Sequence, residues 1–413
     1  MNSFTIDNGM SSMFESKIAV AGGLAGSIRF LNLSSGACIH LIDEANEGLA
    51  EQRLPHINKL VHHDGALIAC GNPWVRTYDL RSINSPPTVY EGHSGNVTCA
   101  AIHQDSKWFI TGGEDGGVRV WDLRAQGYQV GVTHSAPINC GKLHPNQGVF
   151  VFGDSEGFLN EWDLGANCIV RTPLTDPKTS QNVGLGVTCV NVLYSEDFVV
   201  AHGNNSISIL GGTNTDPKDR DEYLSAPPPV FDDASPTHAL SPPSPPPLAP
   251  LISRGVSLLR LTSPAIAVEP DVIQRSAVPN LITTFGDDVH PKSYITSATM
   301  AGDSRVAVTS SDGSVSLWNK QEETDDWALD CIMGTSHAHS HGDNWSWDAC
   351  FLPDENHRYI VAAYDDGKCK LMDSSRPTRA PVAVYDAGGG KCVKSILILD
   401  NDVVSRENLG SLN

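Results

Sequence analysis

His93, Thr111 and Asp115 place an imidazole, a hydroxyl and a carboxylate in one short stretch, GHSGNVTCAAIHQDSKWFITGGEDGGVRVWD, which runs from Gly92 to Asp122. In a hydrolase these three groups form a relay: the carboxylate orients the imidazole, and the imidazole takes the hydroxyl proton. Two further stretches carry ligand chemistry. His337, His339 and His341 alternate in TSHAHSHGD, and alternating histidines in an extended segment present two imidazoles to one side, as a zinc site requires. Gly388-Gly389-Gly390-Lys391 in DAGGGKC has the outline of a phosphate-binding loop.

The elements that must position these groups assign them otherwise. Val97 to His103 alternates as a first strand, Trp108 to Gly112 reads as a second, and Glu114-Asp115-Gly116-Gly117 makes a tight turn into a third, Val118 to Asp122. A fourth follows at Tyr128 to Val132. Such a unit brings His93, Thr111, Asp115 and Trp121 into one hydrogen-bonded set. The imidazole lies between carboxylate and hydroxyl, and the hydroxyl reaches the indole N–H, so the polar groups that the sheet buries are paired. The tetrad is therefore expected to be scaffold. The glycine run lacks the spacing GxxxxGK[ST] and precedes a strand rather than a helix, so it reads as a turn. His341-Gly342 falls where the repeats place their structural histidine, which makes the histidine segment a connection; neither metal nor cofactor is expected.

The unit recurs at a period of about 40 to 50 residues. Its third-strand anchors are Leu31, Tyr78, Trp121, Trp162, Leu210, Trp318 and Met372. Cys99, Cys140 and Cys189 hold one place in three successive first strands, NVTC, PINC and GVTC, an independent mark of register. The fold class that follows is all-β, a seven-bladed WD40 β-propeller. Its first blade, with strands at Lys17 to Gly23, Ser27 to Leu33 and Cys38 to Asp43, lacks an inner strand, whereas Cys392 to Leu399 is an inner strand without a blade. Pairing the two closes the ring and removes two exposed sheet edges.

The chain divides into an extension at 1–16, blades one to five at 17–212, an insertion at 213–278, the end of blade five with blades six and seven and the closing strand at 279–400, and a tail at 401–413. The insertion is proline-rich, and proline removes ladder donors. It is expected to be disordered between the third and fourth strands of blade five, with strand four resuming at Leu281 to Phe285. Ser235, Ser241, Ser244 and Ser263 each precede proline; they are candidates for proline-directed phosphorylation, against the plainer reading of a linker.

The net charge is −20, from 48 acidic and 28 basic residues. Nucleic acid and anionic membrane surfaces are poor partners for such a chain. There is no apolar run of membrane-spanning length, Met1 to Ser16 lacks the features of a signal peptide, and the ten cysteines show no CxxC pairing. A cytoplasmic protein with reduced, buried thiols is expected. No nucleophile has a signature around it, so the chain is read as a non-enzyme.

Binding is expected on the rim. The loops that lead into first strands and those that join second to third strands gather on one face of a propeller. Asp343-Asn344-Trp345-Ser346-Trp347 and Gly71-Asn72-Pro73-Trp74 place indoles there. Trp345, Trp347 and Trp74 are candidate interface anchors, since an exposed indole offers a large apolar area and one donor; packing of Trp347 between blades is the competing reading. His56, Asn58, Asn72, Asn96, Asn139 and Tyr294 are candidates for a polar margin.

The order of blades resembles a known family. INKLVHHDGALIACGNPWVRTYDLRSINSPPTVYEGHSGNVT, EDGGVRVWDLR, APINCGKLHPNQGVFVFGDSEGFLNEWDL, NWSWDACF and HRYIVAAYDDG are similar to the small WD-repeat subunit of TOR kinase complexes, the G-protein-β-subunit-like family. The resemblance implies a non-catalytic scaffold that binds and stabilises the TOR kinase domain, through its C-terminal lobe, in nutrient and growth signalling, beside other TOR complex subunits. It also implies a cytoplasmic location, with endomembranes reached through the complex. Trp345 and Trp347 match the family's WxW motif, and Asn58 matches a strand-start asparagine. Met372 in place of the blade-seven Trp, Ala25 in place of a turn Asp, Glu156 standing for Asp in blade four, and the proline-rich insertion depart from the pattern. A second reading, a substrate receptor of a cullin-type ubiquitin ligase, rests on the Asp-x-Arg pairs Asp79/Arg81 and Asp122/Arg124.

Overall fold

A computed structural model describes residues 14, 16–43, 56–125, 127–174, 186–203, 205–212, 266–267, 270–274, 281–286, 293–321, 326–334, 344–354, 356–377 and 380–400. These form seven sheets, each built on four antiparallel strands. Blade three shows the plan: Val97–Ile102 is innermost, followed outward by Trp108–Gly113, Gly117–Asp122 and Tyr128–Thr133. The period-2 alternation sets it, because successive side chains face opposite neighbouring blades. The turn into the third strand needs glycine at Gly116, where φ is +71° and a Cβ would stand 2.4 Å from the His134 carbonyl.

The inner strands of the other blades are Lys59–His63 in blade two, Ile138–Leu143 in four, Val187–Val192 in five, Ile295–Ala301 in six and Ser346–Phe351 in seven. Blade one takes its inner strand from the far end of the chain: Val393–Asp400 pairs antiparallel with Lys17–Gly23, from Lys17 opposite Asp400 to Gly23 opposite Val393. The expected closure is thus observed. Blade five is likewise completed across a long gap, with Ile207–Leu210 paired to Leu281–Phe285.

The core is divided among the blade interfaces. Seven apolar clusters each join two neighbouring blades. Between blades three and four, for example, Val118, Val120 and Ile110 meet Ile138, Phe150 and Phe152. Trp121, with no exposure, instead faces blade two, where it packs with Tyr90 beside Phe109 of its own blade. Apolar burial at about 25 cal/mol per Å² is the main force holding such interfaces.

Polar stitches around the channel add direction to this packing. Asn58 donates to the Val97 carbonyl at 3.2 Å, Thr98 to Ile138 at 2.7 Å, Asn139 to Val187 at 3.0 Å and Thr296 to Ser346 at 2.5 Å. Each bond passes from one inner strand to that of the next blade. At the closing joint one carboxylate takes over. Asp348 of blade seven accepts from Lys59 Nζ of blade two at 2.9 Å and from Ser395 Oγ and the Ile396 N–H of blade one at 3.0 and 3.3 Å. Ser297 of blade six donates to its other oxygen at 3.2 Å. Burial would push the Lys59 ammonium down, but the Asp348 carboxylate outweighs it and raises the group.

One expectation is corrected. Residues 266–267 and 271–274 lie in the stretch read as a disordered proline-rich insertion, yet they form strands that extend the sheets of blades three and four. Unpaired donors and acceptors on the outer strands of those blades explain the pairing.

Asp348→Ala leaves the Lys59 ammonium and four further donors, the Ser297 and Ser395 hydroxyls and the Ile396 and Ala349 N–H groups, without their acceptor. Denaturant unfolding should show a loss of about 3 kcal/mol, whereas Ser297→Ala, which removes one donor, should cost about 1 kcal/mol.

Candidate functional site

The tetrad of blade three is assembled as a chain of hydrogen bonds. His93 Nδ1 lies 3.0 Å from Asp115 Oδ1, His93 Nε2 lies 2.8 Å from Thr111 Oγ1, and the Trp121 indole donates to Thr111 Oγ1 at 2.8 Å. The set is consistent with a neutral imidazole that donates from Nδ1 and accepts the threonine proton at Nε2. Burial lowers the His93 pKa more than the Asp115 carboxylate raises it. Thr111 has no exposure and its hydroxyl is engaged on both sides, so it cannot reach a substrate. Arg119 Nη1 lies 3.1 Å from Asp115, the one charged partner that the repeat pattern did not indicate.

Blade four builds a related set from another residue. Asp154, with no exposure, lies 3.0 Å from His134 Nε2 and accepts from Arg171 at 3.2 Å, from Asn160 at 3.1 Å and from the Glu156 and Phe158 N–H groups. The sequence reading gave this place to Glu156. That side chain instead bonds Arg171 at 2.5 Å on the surface. Asp154 ends the second strand, two residues earlier than the turn acid of blade three, which hid it from a pattern search. In blade seven, Tyr364 lies 4.0 Å from the Met372 sulfur that stands in for the tryptophan.

The indole face lies at blade seven. Asn344 donates to Asp366 at 3.3 Å and accepts from its N–H at 3.1 Å, while the Asp365 N–H donates to the Trp345 carbonyl at 2.9 Å. These bonds fix the loop that presents the indoles. Trp345 and Trp347 lie 5.1 Å apart, with Lys394 Nζ 4.5 Å from the Trp347 ring. Neither stands free as expected of exposed indoles. Both are half-buried, because the rings cover each other and the Trp347 N–H is bonded to Asp365 at 3.1 Å. Trp347 lines the mouth of the central channel, a cavity of about 490 Å³ that Lys59, Lys142, Asn191, Asp348 and Lys394 also line.

The other rim candidates are dispersed. Tyr294 is 59% exposed and its loop is held by reciprocal bonds with Ser311. Asn96 donates to Glu114 at 2.8 Å, and Asn58 and Asn139 are occupied by the stitches described above. His56, Asn72 and Trp74 are half-buried, with Arg76 5.8 Å from the Trp74 ring. Asp348, Lys59 and Lys394 were missed. The available signal was an acid and two lysines within inner strands, each beside an apolar residue.

On the opposite face, Arg81 pairs with Asp64 at 3.0 Å and Arg124 with Asp122 at 3.4 Å. All ten cysteines are free thiols, and burial pushes Cys99 up to about 12, which leaves it protonated and inert. Among the described residues no cluster of three or more His, Cys, Asp or Glu offers a metal site, and no helix is long and apolar enough to cross a membrane. His337, His339 and His341 lie outside the described residues, as do Ser235, Ser241, Ser244 and Ser263.

Comparison with known proteins agrees with this architecture. The WD domain, G-beta repeat family matches residues 84–122 and 280–319. Target of rapamycin complex subunit wat1 of Schizosaccharomyces pombe is 38% identical over 115 residues, and complex subunit LST8 of Saccharomyces cerevisiae is 36% identical over 111. The LST8 homolog of Dictyostelium discoideum is 39% identical over 106 residues. These stretches cover 28%, 27% and 25% of this chain and 35%, 35% and 32% of the relatives, so the match spans about a third of their length. The β-propeller domain of Myceliophteria thermophila Cps50 (Swd1) superposes with a TM-score of 0.54 at 12% identity, over 80% of this chain and 86% of that one. The designed protein Ika8 gives 0.52 at 14%, over 93% and 88%. Both show the fold alone.

The acids of these sets give the ring a pH dependence. Burial pushes the Asp373 carboxyl up, but the Arg358 guanidinium and Ser375 outweigh it and hold the group at about 2. Asp115 and Asp154 are also held below the usual carboxylate range, by His93 and His134 against burial. A carboxylate depressed below its unfolded value of about 3.9 stabilises fully above that value, and loses its effect as pH falls toward the folded one. The urea midpoint should begin to fall below about pH 6.5, where the unfolded chain protonates histidines that burial holds below that value, His93 among them, and drop further between about 4 and 2, with a shallower acid drop in Asp373→Asn.

Proposed function

We propose that this WD40-repeat propeller, homologous to the LST8 and wat1 subunits of target of rapamycin complexes, is itself a non-catalytic subunit of such a kinase complex. The homology carries the reading. Physical support comes from the face at blade seven, where Trp345 and Trp347 form one apolar platform beside a lysine and an aspartate. A pair of indoles tilted by 34° and bordered by a lysine and an aspartate suits a protein surface better than a small substrate, since large aromatic side chains supply much of the energy at interfaces.

The partner in this reading is the C-terminal lobe of the TOR kinase domain, beside other subunits of the complex, and the place of action is the cytoplasm, with endomembranes reached through the complex. The contact set in this reading is the indole pair with Trp74, His56, Asn72, Asn96 and Tyr294 spread along the rim, while Asn58 is engaged in its stitch to Val97. The ring stabilises the kinase by offering it a rigid face. The platform is held by one main-chain bond and by side-chain bonds of Asn344, Asp365 and Asp366, so docking costs little ordering entropy. The reading as a ligase receptor is not favoured, because Arg81 and Arg124 are held in local pairs and the homology points to kinase complexes.

Affinity purification of the tagged chain from its native cells, followed by mass spectrometry, tests the role. Recovery of a TOR kinase is expected, and recovery of cullin adaptors in its place would refute it. Trp345→Ala should cost about 2 kcal/mol at the interface, or roughly thirtyfold in affinity, while Arg81→Glu should leave kinase recovery unchanged.

A further inference from the structure

The two strands that lengthen blades three and four come from one short segment. Ile266 and Ala267 pair with Val130 and Gly131 on the outer strand of blade three, Tyr128–Thr133. Asp271 to Gln274 pair with Cys168 to Arg171 on the outer strand of blade four, Cys168–Pro173. The Asp271 N–H donates to the Asn167 carbonyl at 3.3 Å. Both pairings are parallel, whereas every pairing within the blades is antiparallel. Three positions in sequence lie between the two runs, and Pro270, which has no N–H, directly precedes the second. The chain then goes on to Leu281–Phe285, the outer strand of blade five. The two described runs therefore lie on the outer edges of blades three and four.

We propose that the outer edges of blades three and four form a docking site for an extended peptide, and that residues 266–274 are its occupant in cis. The ligand class is a strand that binds parallel in two runs, the second preceded by proline. Main-chain bonds supply most of the hold. Val272 and Ile273 remain 59% and 41% exposed after pairing, so little apolar surface is buried, as is usual where a strand is added to a sheet edge. The receiving wall is well fixed: Arg171 binds Asp154 and Glu156 and lies 3.7 Å from the Phe158 ring. A short occupant on a rigid edge can be exchanged. In cis it acts at an effective concentration on the order of millimolar, so a free peptide gains access only when the strap is weakened. This site lies on the outer wall, separate from the indole face, and does not depend on the kinase reading.

The test uses the full chain and hydrogen exchange read by mass spectrometry. In the unmodified protein, amides of Tyr128–Thr133 and Cys168–Pro173 should exchange more slowly than those of the outer strand of blade six, Trp327–Met333. The double variant Ala267→Pro, Val272→Pro should lose that protection in blades three and four alone, with a cooperative melt retained. A second variant, with 264–275 replaced by a Gly/Ser segment of equal length, gives the same reading if the prolines disturb folding. A fluorescein-labelled peptide of residues 264–275 should bind either variant saturably and restore the protection, and should not bind the unmodified protein at the same concentration. Equal exchange in all three outer strands, or a weakened strap without peptide uptake, would overturn the proposal.

Discussion

Asp348 sits where four blades must agree. Its carboxylate is reached by Lys59 of blade two, by Ser395 and the Ile396 N–H of blade one, and by Ser297 of blade six. A propeller has no single core; it has interfaces, and a ring of interfaces is stable only if the last one forms as well as the first. The strand pairing of Lys17–Gly23 with Val393–Asp400 supplies that interface with backbone bonds, and apolar contacts such as Ala19 and Ala21 with Val361 and Ala363 fill it. Neither fixes the rotation of one blade against the next as sharply as a carboxylate with directed bonds to three neighbours. A buried ion pair adds little net stability over apolar packing, and breaking one is costly. Asp348 is thus better understood as setting the register of the closing joint than as adding to the sum of attractive terms.

The stitches of Asn58, Thr98, Asn139 and Thr296 repeat the same logic at the other joints. They also explain why the channel is polar in a chain whose blade interfaces are apolar. Successive side chains on an inner strand face the two neighbouring blades, and those near the channel edge reach the next inner strand with a short polar group. Residues chosen for joining blades are then unavailable for contacting a partner. The sequence alone does not separate these two uses, since both call for an asparagine at the start of a strand.

Most of the fold was legible because it is periodic. The third-strand anchors and the cysteine register located the blades, and the unpaired strands at Lys17–Gly23 and Val393–Asp400 implied closure. The places that resisted reading are those where a local pattern is replaced by an equivalent contact. Asp154 does the work assigned to Glu156, from a position two residues earlier, because an imidazole and a carboxylate need only meet in space. Ile266, Val272 and Ile273 are good strand formers, but beside so many prolines they carried no periodic signal; their partners are outer strands more than a hundred positions away in sequence. The indoles were found by type and by place, whereas their half-buried state depends on Lys394 and Asp365, which come from other strands.

The unequal quality of the blades has a physical consequence for where binding can arise. Blade three has the full tetrad, so its turn is held by Asp115 bonds to His93, the Ser94 N–H and the Gly117 N–H. Blade seven lacks the tryptophan and uses Met372 with Tyr364, yet its interfaces remain apolar and closed. The tetrad is therefore dispensable where packing and closure already hold a blade. Freed from that pattern, the turn acids of blade seven serve another purpose: Asp365 holds the Trp347 indole and Asp366 holds Asn344. The same turn that braces a blade in one repeat braces a platform in another, so a surface for a partner can be built without loosening the ring.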